Sequence, residues 1–313
     1  MKLIIAMFNR TAIIGVAFAA LLMGPSGEAA PLTVPFDFSR NAIGLDVTVK
    51  GVPLYMILDT GVDPSGIDEA RAAALGLKID LAAGGEASGA GNAKEAKVYP
   101  TAIEGLMLGG RSFGTIDAVT LDMRALSARY GRRLDGVLGF SFLNGKIVLV
   151  DYAKRRLSIL DRATEADSSV QSCRKNWTIP YTSLKGDIIP IIPHFRFGAA
   201  DAPISLDTGS SRGISLFQSA LALPGLRAAL KDEGEVHYVG ARGAGTGKGY
   251  RLDESVGFGP FTLPKGQTVA LFPEKGSPET RVANIGNKFF AAATPKMLLD
   301  YRNHTLGFYG DCR

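Results

Sequence analysis

The residues with the clearest chemical promise are two aspartates set in the same short phrase. Asp59 stands in Ile57-Leu58-Asp59-Thr60-Gly61, and Asp207 stands in Ser205-Leu206-Asp207-Thr208-Gly209, 148 positions later. A carboxylate that ends an apolar run and turns on a glycine is costly to bury unless something pairs with it. Two such carboxylates, one in each copy of the phrase, suggest that they meet. Two close carboxylates cannot both ionise easily, so they share one proton over a wide pH range. The charged member can take a proton from water while the neutral member donates a hydrogen bond to a carbonyl oxygen. That combination hydrolyses an amide without a metal or a covalent intermediate.

The elements around each phrase repeat as well. Leu54 to Leu58 and Ile204 to Leu206 read as strands entering the two turns, and Gly66-Ile67 and Gly213-Ile214 follow them. Helix-like stretches come next, Glu69 to Leu77 in the first copy and Phe217 to Leu230 in the second. Asp135-Gly136-Val137-Leu138-Gly139 precedes Phe140-Ser141-Phe142-Leu143, as Asn284-Ile285-Gly286 precedes Asn287-Lys288-Phe289-Phe290. Both copies then carry Leu-x-Asp-Tyr, at Leu149 to Tyr152 and Leu298 to Tyr301, inside apolar runs that read as β-hairpins. Stations in the same order at nearly constant offset mark a duplication. Gly-rich segments, Gly84 to Gly91 and Gly240 to Gly249, sit between stations and read as hairpin tips, while the polar stretch 161–176 reads as a linker.

Composition agrees with a globular chain of two units. Its 313 residues suggest two domains, and 46% apolar with 21% charged residues excludes a disordered protein. Glycine, at 38 residues, is well above the usual share, which argues for many tight turns and against helical bundles. The formal charge of +5 is dispersed, with only Arg132-Arg133 and Lys154-Arg155-Arg156 as short basic groups, so no nucleic-acid face is expected. Residues 1–29 have the parts of an export signal: Lys2 and Arg10, an apolar core from Thr11 to Gly24, and small residues before a cut after Ala29. That core is too short to span a bilayer, which needs about 20 residues, and no other stretch is long enough. A periplasmic or secreted location is therefore expected, without a stable membrane span. In such an oxidising compartment Cys173 and Cys312 could form a disulfide, the alternative being two free buried thiols. Neither the cysteines nor His194, His237 and His304 have the spacing of a metal site, and no cofactor is expected.

The paired Asp-Thr-Gly phrases with their downstream apolar-apolar-Gly stations resemble those of aspartic proteases. Asp-Gly-Val-Leu-Gly-Phe-x-Phe-Leu followed by Leu-x-Asp-Tyr is most similar to bacterial retropepsin-like proteins, here with two units fused in one chain. The resemblance implies an all-β fold (mainly β with short helices), a two-lobed acid-protease plan in which each lobe is a retropepsin-like β-barrel. The lobes would span 31–160 and 177–313, joined by the linker 161–176. It implies an aspartic-type endopeptidase with Asp59 and Asp207 as the catalytic pair. Thr60 and Thr208 would bond across to the opposite loop, while Gly61, Gly209 and Ser210 would support the carboxylates. Gly139 and Gly286 would be the downstream stations, and the Gly-rich hairpins would cover an extended protein or peptide substrate. A monomer would then hold a complete site. Ser210-Ser211 fits the family pattern after the glycine, whereas Val62-Asp63 departs from it. Asp63 would raise the pair's pKa values only if it pointed inward.

Two other readings compete. The chain could be a two-lobed peptide-binding protein with weak or no hydrolysis. Gly209-Ser210-Ser211-Arg212-Gly213 also matches the serine-hydrolase Gly-x-Ser-x-Gly pattern, with Ser211 as nucleophile and Asp253 and His304 following in a permissible order. The first copy has no equivalent of that pentapeptide. The phosphate-loop pattern fails in Gly240 to Gly249, where Arg242 and Gly249 occupy positions that require Gly and Ser or Thr.

Overall fold

The computed structural model describes residues 31–313 except 88, 92–95, 182–188 and 274–279. The expected export signal, 1–29, lies outside the described residues, as does position 88 of the first Gly-rich segment. The chain is mainly strand with short helices, an all-β architecture. Among the described residues no helix is long and apolar enough to cross a membrane.

The first half forms a closed six-stranded barrel. Its order is Gly44–Val49, Val52–Leu58, Gly136–Leu138, Ser65–Asp68, Arg111–Leu121, Pro100–Leu108 and back to the first strand. Alternation sets the inward face of the opening strand: Leu45, Val47 and Val49 are buried, whereas Asp46 is exposed and Thr48 half-buried. Pairing of Val47–Val49 with Leu106–Leu108 closes the ring.

The second half is an open nine-stranded sheet rather than the closed barrel expected of each lobe. The difference lies in its hairpins. In the first half Pro100–Leu108 and Arg111–Leu121 run long enough to join both sides of the barrel. In the second half Gly243–Leu252 and Val256–Phe258 are separate strands, as are Phe261–Leu263 and Gln267–Leu271. Pro264, which has no N–H to donate, and Gly266, at φ +96°, interrupt the second pair. Aromatic side chains fill this half: Phe258 packs 4.8 Å from Phe308 and 5.5 Å from Trp177, between ring centroids.

In both halves a short downstream strand threads between the two strands flanking the aspartate loop. Gly136–Leu138 runs parallel to Met56–Leu58 and antiparallel to Gly66–Ile67. Ala283–Gly286 does the same with Ile204–Asp207 and Ile214–Leu216. The closing hairpins of the two halves then pair with each other, Ile147–Asp151 against Lys296–Asp300, at the centre of a shared six-stranded sheet.

Two local expectations need correction. The stretch Phe217 to Leu230 is not one helix but a 3-10 segment, Gln218–Ala222, and a single turn, Leu226–Ala229. Pro224 and Gly225, at φ +75°, break it. Within 161–176, Ala163–Ala166 and Asp167–Val170 are helical, and Cys173 already begins a strand that runs to Pro180. Cys173 faces Cys312 in that strand pair, and the two form a disulfide across 139 residues.

The bridge ties the shared sheet's edge strand to the end of the chain. Replacing both cysteines with serine should lower unfolding stability by about 2–4 kcal/mol. Urea denaturation followed by fluorescence measures this. An unchanged midpoint would show that the edge strand is held without the bridge.

Candidate active site

Asp59 and Asp207 each lie where a buried strand ends. The Asp59 N–H donates to Leu138 O at 3.0 Å, and Asp207 pairs in register with Gly286. The downstream strands therefore fix the level at which each carboxylate leaves its sheet. The chain then turns, and the two turns bind each other. Thr60 N–H donates to Thr208 Oγ1 at 3.0 Å, and Thr208 N–H donates to Thr60 Oγ1 at 3.1 Å. The hydroxyls continue the exchange, Thr60 Oγ1 donating to Leu206 O at 2.7 Å and Thr208 Oγ1 to Leu58 O at 2.9 Å. Both threonines are buried, so water cannot replace these partners.

The glycines give the carboxylates room. A Cβ on Gly209 would stand 2.0 Å from Asp59 Oδ2, and one on Gly61 would stand 3.2 Å from both Asp59 Oδ1 and Asp207 Oδ1. The two carboxyl groups lie close enough for each to act on the other's pKa. Gly61 N–H donates to Asp59 Oδ1 at 2.7 Å, and Ser210 N–H donates to Asp207 Oδ1 at 3.0 Å. Gly139 and Gly286 are needed for close approach. A Cβ on Gly139 would meet Val62 O at 2.5 Å, and one on Gly286 would meet Arg212 O at 2.3 Å. Matching bonds seal these contacts: Phe140 N–H to Val62 O at 2.8 Å and Asn287 N–H to Ser210 O at 3.1 Å.

The pair is electrostatically uneven. Burial, followed by the neighbouring charge of Asp207, raises the Asp59 pKa well above the ordinary carboxylate range, against the opposing N–H groups of Gly61 and Gly209. Burial raises that of Asp207 too, but N–H groups of Ser210 and Gly209 and the positive charge of Arg281 oppose it. Asn284 Nδ2 donates to Asp207 Oδ2 at 3.2 Å, a bond that favours the charged form. Val137 holds the matching place in the first half and offers no donor. The irregular Asn284-Ile285-Gly286 station thus supplies part of the asymmetry. Asp63 is exposed and does not join the pair.

Both carboxylates open into a cleft of about 680 Å³ that both halves line. Gly89–Gly91 and Gly240–Ala241 border it, and Arg242 N–H donates to Ala90 O at 2.9 Å, so the Gly-rich segments touch. Only the beginning of Gly240 to Gly249 is a tip; Gly243 onward is the returning strand of a long hairpin with Leu230–Gly240. Ser211 lines the cleft, but its proposed partners are elsewhere: Asp253 pairs with Lys265 at 3.3 Å, and His304 packs on Tyr181. The serine constellation does not assemble.

Sequence reasoning missed several contributors. Asn287 donates to Thr208 O and accepts from Tyr152 O–H at 2.7 Å, linking the second loop to the first half. Its signal was a polar residue where the first copy has Phe140. Tyr130, buried against the cleft, and the basic residues Arg129, Arg212 and Lys288 gave no motif.

Part of the chain, the first aspartate loop included, has a counterpart among known families. Residues 45–142 match the family model described as aspartyl protease. The match includes Asp59-Thr60-Gly61 and Gly139, together with five of the six barrel strands in full. It supports a protease function in general. Asp207 lies outside the aspartyl protease match, on a loop bonded reciprocally to the matched one. No curated protein matches the chain.

Because folding raises both pKa values, the stability this pair contributes is fully present below the unfolded carboxylate pKa. It is lost as pH rises through the raised values. Asp59→Asn removes part of that loss. In urea unfolding the variant should gain on the parent by about 1–3 kcal/mol between pH 4 and pH 8. A pH-independent difference would contradict the shared-proton environment.

Proposed function

We propose that the protein is an aspartic-type endopeptidase whose water is activated between Asp59 and Asp207. The observation that carries this reading is the reciprocal threonine bonding, which sets two carboxyl groups against each other at the base of one cleft. The family match over the first loop supports it. Each carboxyl accepts backbone N–H bonds, but the Asn284 amide and the positive charge of Arg281 act on Asp207, which favours the charge there and leaves the shared proton on Asp59.

In the first step a water oxygen attacks the peptide carbonyl carbon. Asp207 takes the water proton while Asp59 gives its own to the carbonyl oxygen, producing a neutral tetrahedral diol. In the second step Asp207 returns its proton to the amide nitrogen and Asp59 takes one from a diol hydroxyl. The C–N bond breaks, a carboxylic acid and an amine leave, and the pair again holds one proton. The Gly-rich segments would open to admit an extended peptide, whose backbone adds as a strand beneath them.

Asp59→Asn and Asp207→Asn should each reduce kcat/KM on a denatured protein by about 10²–10⁴-fold. Full activity in either variant would overturn the pair. The active pH range should lie nearer neutrality than ordinary carboxylate values would place it, because burial raises both groups. Peptide binding without cleavage across that range would favour the binding-protein reading.

The proposed location is outside the cytoplasm, with residues 1–29 removed and a monomer sufficient for activity. N-terminal sequencing of the mature protein should begin at Ala30. Retention of residues 1–29 on a cytoplasmic protein would overturn the export assignment.

A further inference from the structure

The charge in the cleft is one-sided. Five basic side chains line it, Arg40, Arg129, Arg212, Arg281 and Lys288, while among the described residues its only carboxylates are Asp59 and Asp207. Two of the five have local roles: Arg40 Nε donates to Tyr130 O at 3.1 Å, and Arg281 lies near Asp207. The other three are placed differently.

Arg129 stands exposed in the last turn of Arg124–Tyr130, and no ion pair or hydrogen bond with a described residue engages its side chain. Arg212, half-buried, comes from the second half and reaches His237 O with one nitrogen. Burial and the charge of Arg129 both depress the Arg212 pKa, which places the two guanidiniums within electrostatic reach of each other. Guanidinium remains charged at every working pH, so this repulsion cannot be relieved by deprotonation. A carboxylate between them relieves it and can accept two parallel N–H bonds.

The duplication shows that the loop scaffold does not require these charges. With Gly66 aligned to Gly213 and Gly139 to Gly286, Arg212 matches Ser65 and Lys288 matches Ser141. In the first copy those serines bond to each other at 2.8 Å. The second copy has two cations at the same places, and both line the cleft. The loops close in the first copy with neutral hydroxyls, so the positive charge serves something other than loop closure.

We infer that the cleft selects peptide segments carrying aspartate or glutamate beside the bond to be cut, with Arg129, Arg212 and Lys288 as the specificity-determining residues. This rests on the peptidase reading above for the cutting, though not for the charge preference. An extended chain advances about 3.3 Å per residue with alternating side chains, so acidic residues within about two positions of the bond can reach this group.

The test uses peptides that differ only in Glu, Gln or Lys at the two positions on each side of the cut. At low salt, kcat/KM for the Glu peptide should exceed that for the Gln peptide about tenfold, with Lys poorest. The advantage should shrink as salt is raised. In Arg129→Gln/Arg212→Gln the Glu-to-Gln ratio should fall toward one. The exposed single variants Arg129→Gln and Lys288→Gln should each lower it in part, which keeps the test decisive if the double variant fails to fold.

Fluorescence anisotropy of the same peptides with Asp207→Asn reads the preference without turnover. Absence of cleavage with the Glu-first order preserved in binding would sink the peptidase reading and support the charge selection. Equal binding of all three peptides, or a ratio unchanged in the variants, would overturn the inference.

Discussion

Thr60 and Thr208 each use a backbone N–H and a side-chain hydroxyl on the opposite half of the molecule, and each receives the same in return. Three polar groups from each side, the threonine N–H and hydroxyl and the carbonyl before the aspartate, are thereby satisfied by one closed exchange of four bonds. None can be lost singly, because a partner left without a bond in this dry junction costs on the order of 1–3 kcal/mol. The exchange also fixes direction. A threonine that must donate backward to the carbonyl before the opposite aspartate holds its own preceding aspartate against that neighbour. The placement of Asp59 and Asp207 follows from the same bonds that hold the halves together.

The glycines extend that constraint into the barrels. Gly61 and Gly209 make room for the carboxylates, while Gly139 and Gly286 let the downstream strands pass under the loop carbonyls. Outside the junction the halves have diverged. One is a closed barrel with an aliphatic interior, and the other is an open sheet filled by Phe258 and its aromatic neighbours. Similar cross-bonding and threaded strands persist despite that difference, so the loop geometry depends on the local strand triplet rather than on barrel closure.

What was legible in the sequence was what repeats. Asp59 with Asp207, Thr60 with Thr208 and Gly139 with Gly286 could be aligned because the same steric and polar demands act twice. The single features were hidden. Pairing of Ile147–Asp151 with Lys296–Asp300 joins residues about 150 apart through strands whose apolar pattern would suit many neighbours. Arg129 and Arg212 come from an ordinary surface helix and a loop, and only the folded chain brings them to one cleft. The break in Phe217 to Leu230 was visible in Pro224 and Gly225, yet the apolar periodicity masked it.

The shared six-stranded sheet has a consequence for how the chain is made. Its central strand Lys296–Asp300 and the neighbouring strand Thr305–Cys312 follow every other described strand in the sequence, and Lys296–Asp300 completes the seam to the first half. A nascent chain emerging N-terminus first can form the early barrel, but it carries Asp59 for 148 residues before Asp207 arrives. The sheet that joins the halves waits longer still, until Lys296–Asp300 has emerged. Completion of the cleft's support therefore waits for Lys296–Asp300, and a chain cut before that strand has the residues of the threonine exchange but lacks the seam between the closing hairpins.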